Sequence, residues 1–288
     1  MGKINTSIVN RMKKNSAFKK KVNAVVLNYL KQNPDEIPDF FEGLSTQLIA
    51  TPEKYISMIN KMVSAKEKYK FAPDEEDKYK WIQNMNINTV LDVGAWKGDS
   101  ARQFSELFPT AKIFSFEPLR DCFERLQALE KNIQNLKTFN FALGDKADKL
   151  KINRSGFSPS SSLLKMKDTH KEAFPFSAEE TIEEIEVRTL DSVTSGLDLS
   201  PNVLLKIDVQ GFEENVLKGA FETLKKVKII VIELSFVELY AGQPMFDKIY
   251  NILKDHGFVY SGSWQQLLNP KDGAIWQQNG VFISKRPF

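Results

Sequence analysis

The segment from Thr89 to Glu117 restricts the fold of this chain more than any other. Thr89-Val90-Leu91-Asp92-Val93 is a short apolar run that ends in Gly94-Ala95-Trp96-Lys97-Gly98. A helical stretch follows, and a second apolar run closes in Phe116-Glu117-Pro118, its acid nineteen positions after Gly98. Strand, glycine turn, helix and a second strand ending in a carboxylate make one half of a doubly wound α/β sheet. In that layout the carboxyl ends of the strands border a crevice for a nucleoside-bearing ligand.

The same rhythm continues along the chain. Apolar strand runs at 89–93, 112–116, 137–142, 203–209, 228–234 and 280–284 alternate with helical stretches at 98–107, 118–130, 212–225 and 245–256. Such alternation predicts a mainly parallel sheet covered on both faces. Residues 148–153 and 183–189 alternate apolar with polar, with Leu150 and Ile152 in one and Ile185 and Val187 in the other. They are expected to pair antiparallel. The serine-rich stretch 155–162 between them is expected to be a functional or mobile loop, or else a solvated surface turn.

The first 80 residues read differently. Eight Lys or Arg residues precede the first acid, Asp35. Phe18, Val22, Val25, Val26 and Tyr29 repeat at helical spacing beside Lys19, Lys20 and Lys21. A basic amphipathic helix of this kind packs on the main domain, packs on a second copy in a homo-oligomer, or lies peripherally on an anionic membrane. The opening Met1-Gly2-Lys3-Ile4-Asn5-Thr6 also matches a myristoylation pattern, but so short a pattern is often met by chance. Thr51-Pro52-Glu53 marks a helix start, with Tyr55, Ile56, Ile59 and Met62 on one face. The expected division is a basic helical extension over 1–80 and an α/β domain over 81–288, carrying a hairpin and loop insertion at about 145–190.

Bulk properties narrow the classes. The chain has 288 residues, 42% hydrophobic and 27% charged, enough for one α/β domain plus the extension. A net charge of only +3 supplies no concentrated basic field, so no nucleic-acid partner is expected. The one cysteine, Cys122, excludes an internal disulfide and a cysteine zinc site, and reads as a small buried residue of a helix. No apolar run reaches the length of a membrane span and no secretory signal is visible, so a cytoplasmic location is expected. The two histidines, His170 and His256, lie far apart; His256 before Gly257 reads as a helix cap, and His170 falls in a polar connection.

Charge separates the ligands that suit the crevice. A dinucleotide site needs closely spaced glycines whose N–H groups approach a pyrophosphate. Here Gly94 and Gly98 are four apart with bulky Trp96 between them, and Asp92 and Asp99 flank the turn. A unit-charge pair 4 Å apart is worth about 4 kcal/mol at an effective dielectric of 20. Those acids would repel a pyrophosphate and attract S-adenosylmethionine, which carries a sulfonium and an ammonium. Glu117 is placed to accept both ribose hydroxyls, each bond to the charged group contributing roughly 1.5–3 kcal/mol. The bland alternative is a strand–turn–helix with surface acids and no ligand.

The candidate donor-binding residues are Asp92, Gly94, Ala95, Gly98, Glu117, Pro118, Ala142, Leu143 and Asp208. Ala142 and Leu143, after the third strand, are expected to sandwich an adenine. Asp208 ends the strand of Leu204-Leu205-Lys206-Ile207 and is the candidate group that orients the acceptor or takes its proton. Glu233 ends the next strand and is the second catalytic candidate. Asp208, Glu213 and Glu233 also offer oxygens to a divalent cation. Acids at strand ends are common without metal, so a cation is not favoured, and Glu213 reads equally as a helix-dipole acid. Phe157, Phe174, Phe176, Trp264 and Trp276 offer surfaces for a sugar or apolar acceptor, or simply core.

Taken in order, these motifs resemble the FkbM-type methyltransferases from about residue 88 to 284. The likeness rests on Asp92-Val93-Gly94-Ala95 with Gly98, Phe116-Glu117-Pro118, Asn140 with Ala142-Leu143-Gly144, Ser161-Ser162-Leu163, Arg188-Thr189-Leu190-Asp191, and Lys206-Ile207-Asp208-Val209 with Gly211 and Glu213. The resemblance implies a seven-stranded class I methyltransferase sheet with its last strand antiparallel. It also implies S-adenosylmethionine as donor and O-methylation of a sugar, glycan or related metabolite. By the same resemblance Asp92, Gly94 and Glu117 fall on donor-binding positions and Asp208 beside the acceptor. Gln210 departs from the pattern, where an acid is common. The alternatives are N- or carboxyl-methylation, or a non-catalytic donor-binding scaffold.

Overall fold

The computed structural model describes residues 80–286. The expectations placed on the first 79 residues, including the basic amphipathic helix and the helix start at Thr51, lie outside the described residues. Among the described ones no helix is long and apolar enough to cross a membrane.

The described residues hold ten strands and eight α-helices. The strands are β1 Thr89–Val93, β2 Lys112–Phe116, β3 Leu136–Phe139, β4 Ala142–Leu143, β5 Asp148–Ser155, β6 Glu180–Arg188, β7 Val203–Ile207, β8 Val227–Ser235, β9 Phe258–Leu268 and β10 Ile275–Ser284. The helices are α1 Lys80–Gln83, α2 Asp99–Leu107, α3 Arg120–Gln127, α4 Asp168–Ala173, α5 Leu190–Thr194, α6 Glu213–Lys218, α7 Phe221–Leu224 and α8 Phe246–Asp255.

Seven strands form one sheet in the order β3-β2-β1-β7-β8-β10-β9. The first five run parallel, and β10 is antiparallel to both β8 and β9. This is the doubly wound class I arrangement, with its late strand reversed as expected. Central strands covered on both faces are apolar almost throughout; β1 is buried at all five positions and β7 at four. Leu91, Leu205, Ile207, Ile230 and Ile232 pack with Leu190, Val216, Ile249 and Leu253 of α5, α6 and α8. Val90, Leu204, Ile229 and Val231 pack on the other face with Ala101, Phe104 and Leu126 of α2 and α3. The strand order reverses between β1 and β7, so the tips of β1, β2 and β7 border the crevice predicted for this topology.

The structure departs from the sequence reading in several places. The run 137–142 is two strands: β3 ends at Phe139, and β4 joins a separate three-stranded sheet, order β4-β6-β5. Asn140 makes the break, donating to the carbonyls of Glu117 and Pro118 at 2.9 Å each and so tying β3 to the tip of β2. The helix expected over 212–225 is two short ones, α6 and α7, parted at Gly219 and Ala220. A Cβ on Gly219 would lie 2.0 Å from the Gly144 carbonyl oxygen, so the chain must pass there without a side chain. The helix over 118–130 turns 3-10 at Ala128. The edge strand β9 carried no recognised signal, and β10 begins five residues before the expected strand.

The hairpin was placed correctly. β5 and β6 are antiparallel with Leu150 opposite Ile185. Their connection is not a bare loop but holds a 3-10 turn at Ser158–Ser160 and helix α4. His170 sits in α4, buried rather than in a polar connection, edge-on to Phe174 and Tyr240. Burial drives its pKa down to about 4, so the ring is neutral at physiological pH. His256 does cap α8, its Nδ1 lying 2.8 Å from the Ile252 carbonyl. Cys122 is fully buried in α3.

Candidate active site

A cavity of about 590 Å³ opens over the tips of β1, β2 and β7. Gly94, Ala95, Glu117, Pro118, Ala142, Leu143 and Asp208, all anticipated, line it. The insertion adds Ser158, Pro159, Ser161, Ser162 and Leu163 as an opposing wall.

The turn after β1 is shaped by close approach. Gly94 has φ +78°, and a Cβ there would stand 1.8 Å from the Asp208 carbonyl oxygen. No L side chain fits such a spot. Trp96 nonetheless takes φ +49°, an uncommon conformation for a bulky residue. Three contacts hold it. Its backbone N–H donates to Glu117 Oε2 at 2.9 Å, its indole N–H to Ser158 Oγ at 2.8 Å, and its ring packs among Leu119, Cys122, Ile152 and Ile185. Trp96 therefore joins the turn to both the acid at the tip of β2 and the insertion.

Glu117 is 6% exposed. Its Oε1 accepts the Leu119 N–H at 2.8 Å and its Oε2 the Trp96 N–H. Burial pushes its pKa up to about 7 against the lowering effect of those amides. Each carboxylate oxygen retains a second lone-pair direction for a ligand hydroxyl.

Three anticipated residues are not in the lining. Asp92 lies beneath it, fully buried. Its Oδ2 accepts from Ser100 Oγ at 2.7 Å and Ser115 Oγ at 3.2 Å, while Oδ1 has no hydrogen-bond partner. Gly98 opens α2 from outside the cavity; a Cβ there would meet Leu129 Cδ1 at 2.4 Å. That glycine makes room for α3 and the turn after it. Glu233 stands behind Gln210, whose Nε2 donates to its two oxygens at 3.1 and 3.2 Å. Burial, then the charges of Asp208 and Glu213, raise its pKa well above the carboxylate range.

Glu213 opens α6, and its Oε1 accepts the Val209 and Gly211 amides at 3.2 and 3.1 Å. It shapes the turn after β7, and burial raises its pKa to about 7. Glu213 thus turns to backbone amides, while Asp208 and Glu233 share the Gln210 amide. Among the described residues no group of three or more His, Cys, Asp or Glu side chains is arranged to hold a metal ion.

Lys206 of β7 is a further member of the site. Its Nζ lies 3.6 Å from Asp92 Oδ1 and 3.5 Å from Asp208 Oδ2, so the acids here are partly neutralised by the protein itself. Burial alone would lower the ammonium's pKa, but Asp208 and Asp92 beside it hold it above the usual lysine value. A lysine inside the apolar run of β7 was itself the signal, because a charge in a buried strand needs partners. Of the aromatic candidates, Trp264 lines the cavity while packed into the core at 5% exposed, whereas Phe157 and Phe176 stand out at 43% and 63% and lie outside the lining.

Residues 92–260 match the methyltransferase FkbM domain family. This chain belongs to that family, and its fold is that of a class I methyltransferase. Among curated relatives, the 2-O-methyltransferase NoeI of Sinorhizobium fredii is 29% identical over 176 residues, which are 59% of this chain and 72% of that protein. The AMB antimetabolite synthetase AmbE of Pseudomonas aeruginosa is 30% identical over 212 residues, covering 64% of this chain but 10% of the synthetase. The solved methyltransferase FkbM from Methylobacillus flagellatus KT aligns with TM-score 0.43 at 15% identity, over 69% of this chain and 44% of that one.

Proposed function

We propose that this protein transfers the methyl group of S-adenosylmethionine to a hydroxyl oxygen of a sugar, glycan or related metabolite. The observation that carries the donor assignment is Glu117, a buried carboxyl inside the cavity whose free lone pairs suit two vicinal ribose hydroxyls. Gly94 and Ala95 line the cavity with little side-chain bulk, and Asp99 and Asp208 add carboxylates to its wall, which suits a ligand bearing cationic groups. Ala142, Leu143, Leu163, Ile152 and Ile185 give the same end of the cavity apolar walls for a flat base. The donor, when bound, supplies a methyl group already activated on sulfur.

The chain's own work is then alignment and proton handling. Asp208 lies at the tip of β7 facing the cavity, its Oδ2 steadied by Lys206. It is placed to take the proton of an attacking hydroxyl. General-base help of this kind typically contributes about 10²–10⁴-fold. Holding both reactants in one orientation supplies roughly 7–11 kcal/mol. Beyond Asp208 the cavity meets Gln103, Gln265 and Asn279, whose amides both donate and accept and so suit a polyhydroxylated acceptor. The 2-O-methyltransferase activity named for NoeI supports oxygen as the attacking atom.

Incubating the protein with isotope-labelled donor and fractionated cell extract, then fragmenting the labelled product, tests the reading. Label on a hydroxyl oxygen is expected. Label on nitrogen or carboxylate would correct the acceptor, and donor binding with no turnover in any fraction would make the protein a donor-binding scaffold. Asp208→Asn should abolish most transfer while S-adenosylhomocysteine still binds.

A further inference from the structure

Gln210 is the residue at this site whose conformation and contacts the donor assignment leaves unexplained. It takes φ +53°, a left-handed backbone that a glutamine adopts rarely without a reason. Its Nε2 donates to Asp208 Oδ1 at 2.8 Å and to both oxygens of Glu233 at 3.1 and 3.2 Å. Its Oε1 lies 3.0 Å from the hydroxyl of fully buried Tyr240, whose one proton is shared between that oxygen and the Ser160 carbonyl at 2.9 Å, and its backbone carbonyl accepts from Ser162 Oγ at 2.6 Å. The side chain is therefore held at its oxygen, and its one nitrogen is presented to two acids.

We infer that Gln210 is a positioning residue for Asp208. Its carboxamide and the Lys206 ammonium grip opposite oxygens of that carboxylate and so aim it into the cavity. The inference rests on the proposed role of Asp208 but concerns only how the carboxylate is held. A neutral donor suits this place because it is ringed by acids. Lys206 and Asp92 approach Asp208 from the sheet, Glu213 from α6, Glu233 from β8, and Tyr240 stands beyond the amide. A carboxylate at position 210 would lie within hydrogen-bond distance of two other acids, and like charges that close cannot all ionise.

The clamp is measurable without donor or acceptor. In full-length protein carrying ¹³C-labelled Asp and Glu carboxyls, NMR follows the titration of Asp208, assigned by its loss in Asp208→Asn. Gln210→Asn tolerates the left-handed backbone but is one methylene too short to reach both acids. It should raise the Asp208 midpoint, since a donor to the ionised form is lost. Gln210→Glu should raise it further, and Tyr240→Phe, which frees the amide oxygen, should move it less in the same direction. If Gln210→Glu loses its near-ultraviolet circular dichroism, the other two variants decide. Midpoints unmoved in Gln210→Asn and Tyr240→Phe, even with lowered thermal stability, would overturn the inference and leave Gln210 a residue that only shapes a turn. Because no methyl transfer is measured, failure of the proposed reaction would leave the shift in place. An active enzyme with unmoved midpoints would sink the clamp alone.

Discussion

Replacing Glu117 by Gln separates the charge of the donor-site acid from its shape. In the native protein both Glu117 oxygens accept backbone N–H groups, from Leu119 and Trp96. A carboxamide keeps one of those bonds and turns an NH2 group toward the other amide. Leaving one buried amide unsatisfied costs about 1–3 kcal/mol of stability. The ribose hydroxyls meanwhile lose a charged acceptor for a neutral one. The difference over two hydrogen bonds is about 2–3 kcal/mol, or roughly 30- to 150-fold in affinity. Calorimetric titration with S-adenosylhomocysteine measures it, after thermal unfolding has shown that the variant is folded.

The pH dependence is the sharper half of this prediction. With a midpoint at about 7, roughly a tenth of native Glu117 is ionised one pH unit below it and nine tenths one unit above. If the carboxylate is the binding form, native affinity should rise about tenfold between pH 6 and 8 and level off above. Binding at pH 6 should release close to one proton, seen as a dependence of the measured heat on the buffer. Folding responds oppositely. The folded carboxyl holds its proton up to about 7 where the unfolded one ionises near 4.5. Stability is therefore full at low pH and falls as pH rises through that window, by up to about 3 kcal/mol. Glu117→Gln should flatten the binding profile and remove the Glu117 share of the stability profile, leaving the share of Glu213 and Glu233. Equal affinity in the two proteins, or a native profile flat from pH 6 to 8, would refute the ribose assignment.

Further outcomes can be stated together. Gly94→Ala, with its Cβ 1.8 Å from a backbone oxygen and φ +78°, should destabilise the domain by more than about 2 kcal/mol and abolish donor binding; a normal melting temperature would contradict the geometry. Trp96→Phe keeps the ring but removes the indole bond to Ser158, and should speed S-adenosylhomocysteine dissociation, read by stopped flow, more than it slows association. Lys206→Met leaves Asp92 buried without its cation, and should cost about 3–5 kcal/mol in denaturant unfolding.

Much of this protein was legible along the chain. Val90-Leu91-Asp92-Val93-Gly94 and Phe116-Glu117-Pro118 declare a strand, a glycine turn and an acid at a strand tip because each depends on local chemistry: apolar runs, backbone freedom and spacing. The hairpin of β5 and β6 was readable for the same reason, since alternation survives wherever one face is buried. Strand β9 was not, because Phe258-Val259-Tyr260-Ser261-Gly262-Ser263 keeps no regular period and its edge takes meaning only beside β10.

Sequence alone therefore determined the alternation of the central strands β1, β2, β7 and β8 with helices, the glycine that must lack a side chain, and the chemical type of the residues offered to a ligand. The tertiary structure decided which of them meet. It put Asp92 under the cavity and Glu233 behind Gln210, set Lys206 between two acids, and brought Trp96 to Ser158 and Tyr240 to Gln210 across 62 and 30 residues. Backbone propensity acts over a few neighbours, whereas the burial and pairing of a charge depend on every segment folded against it.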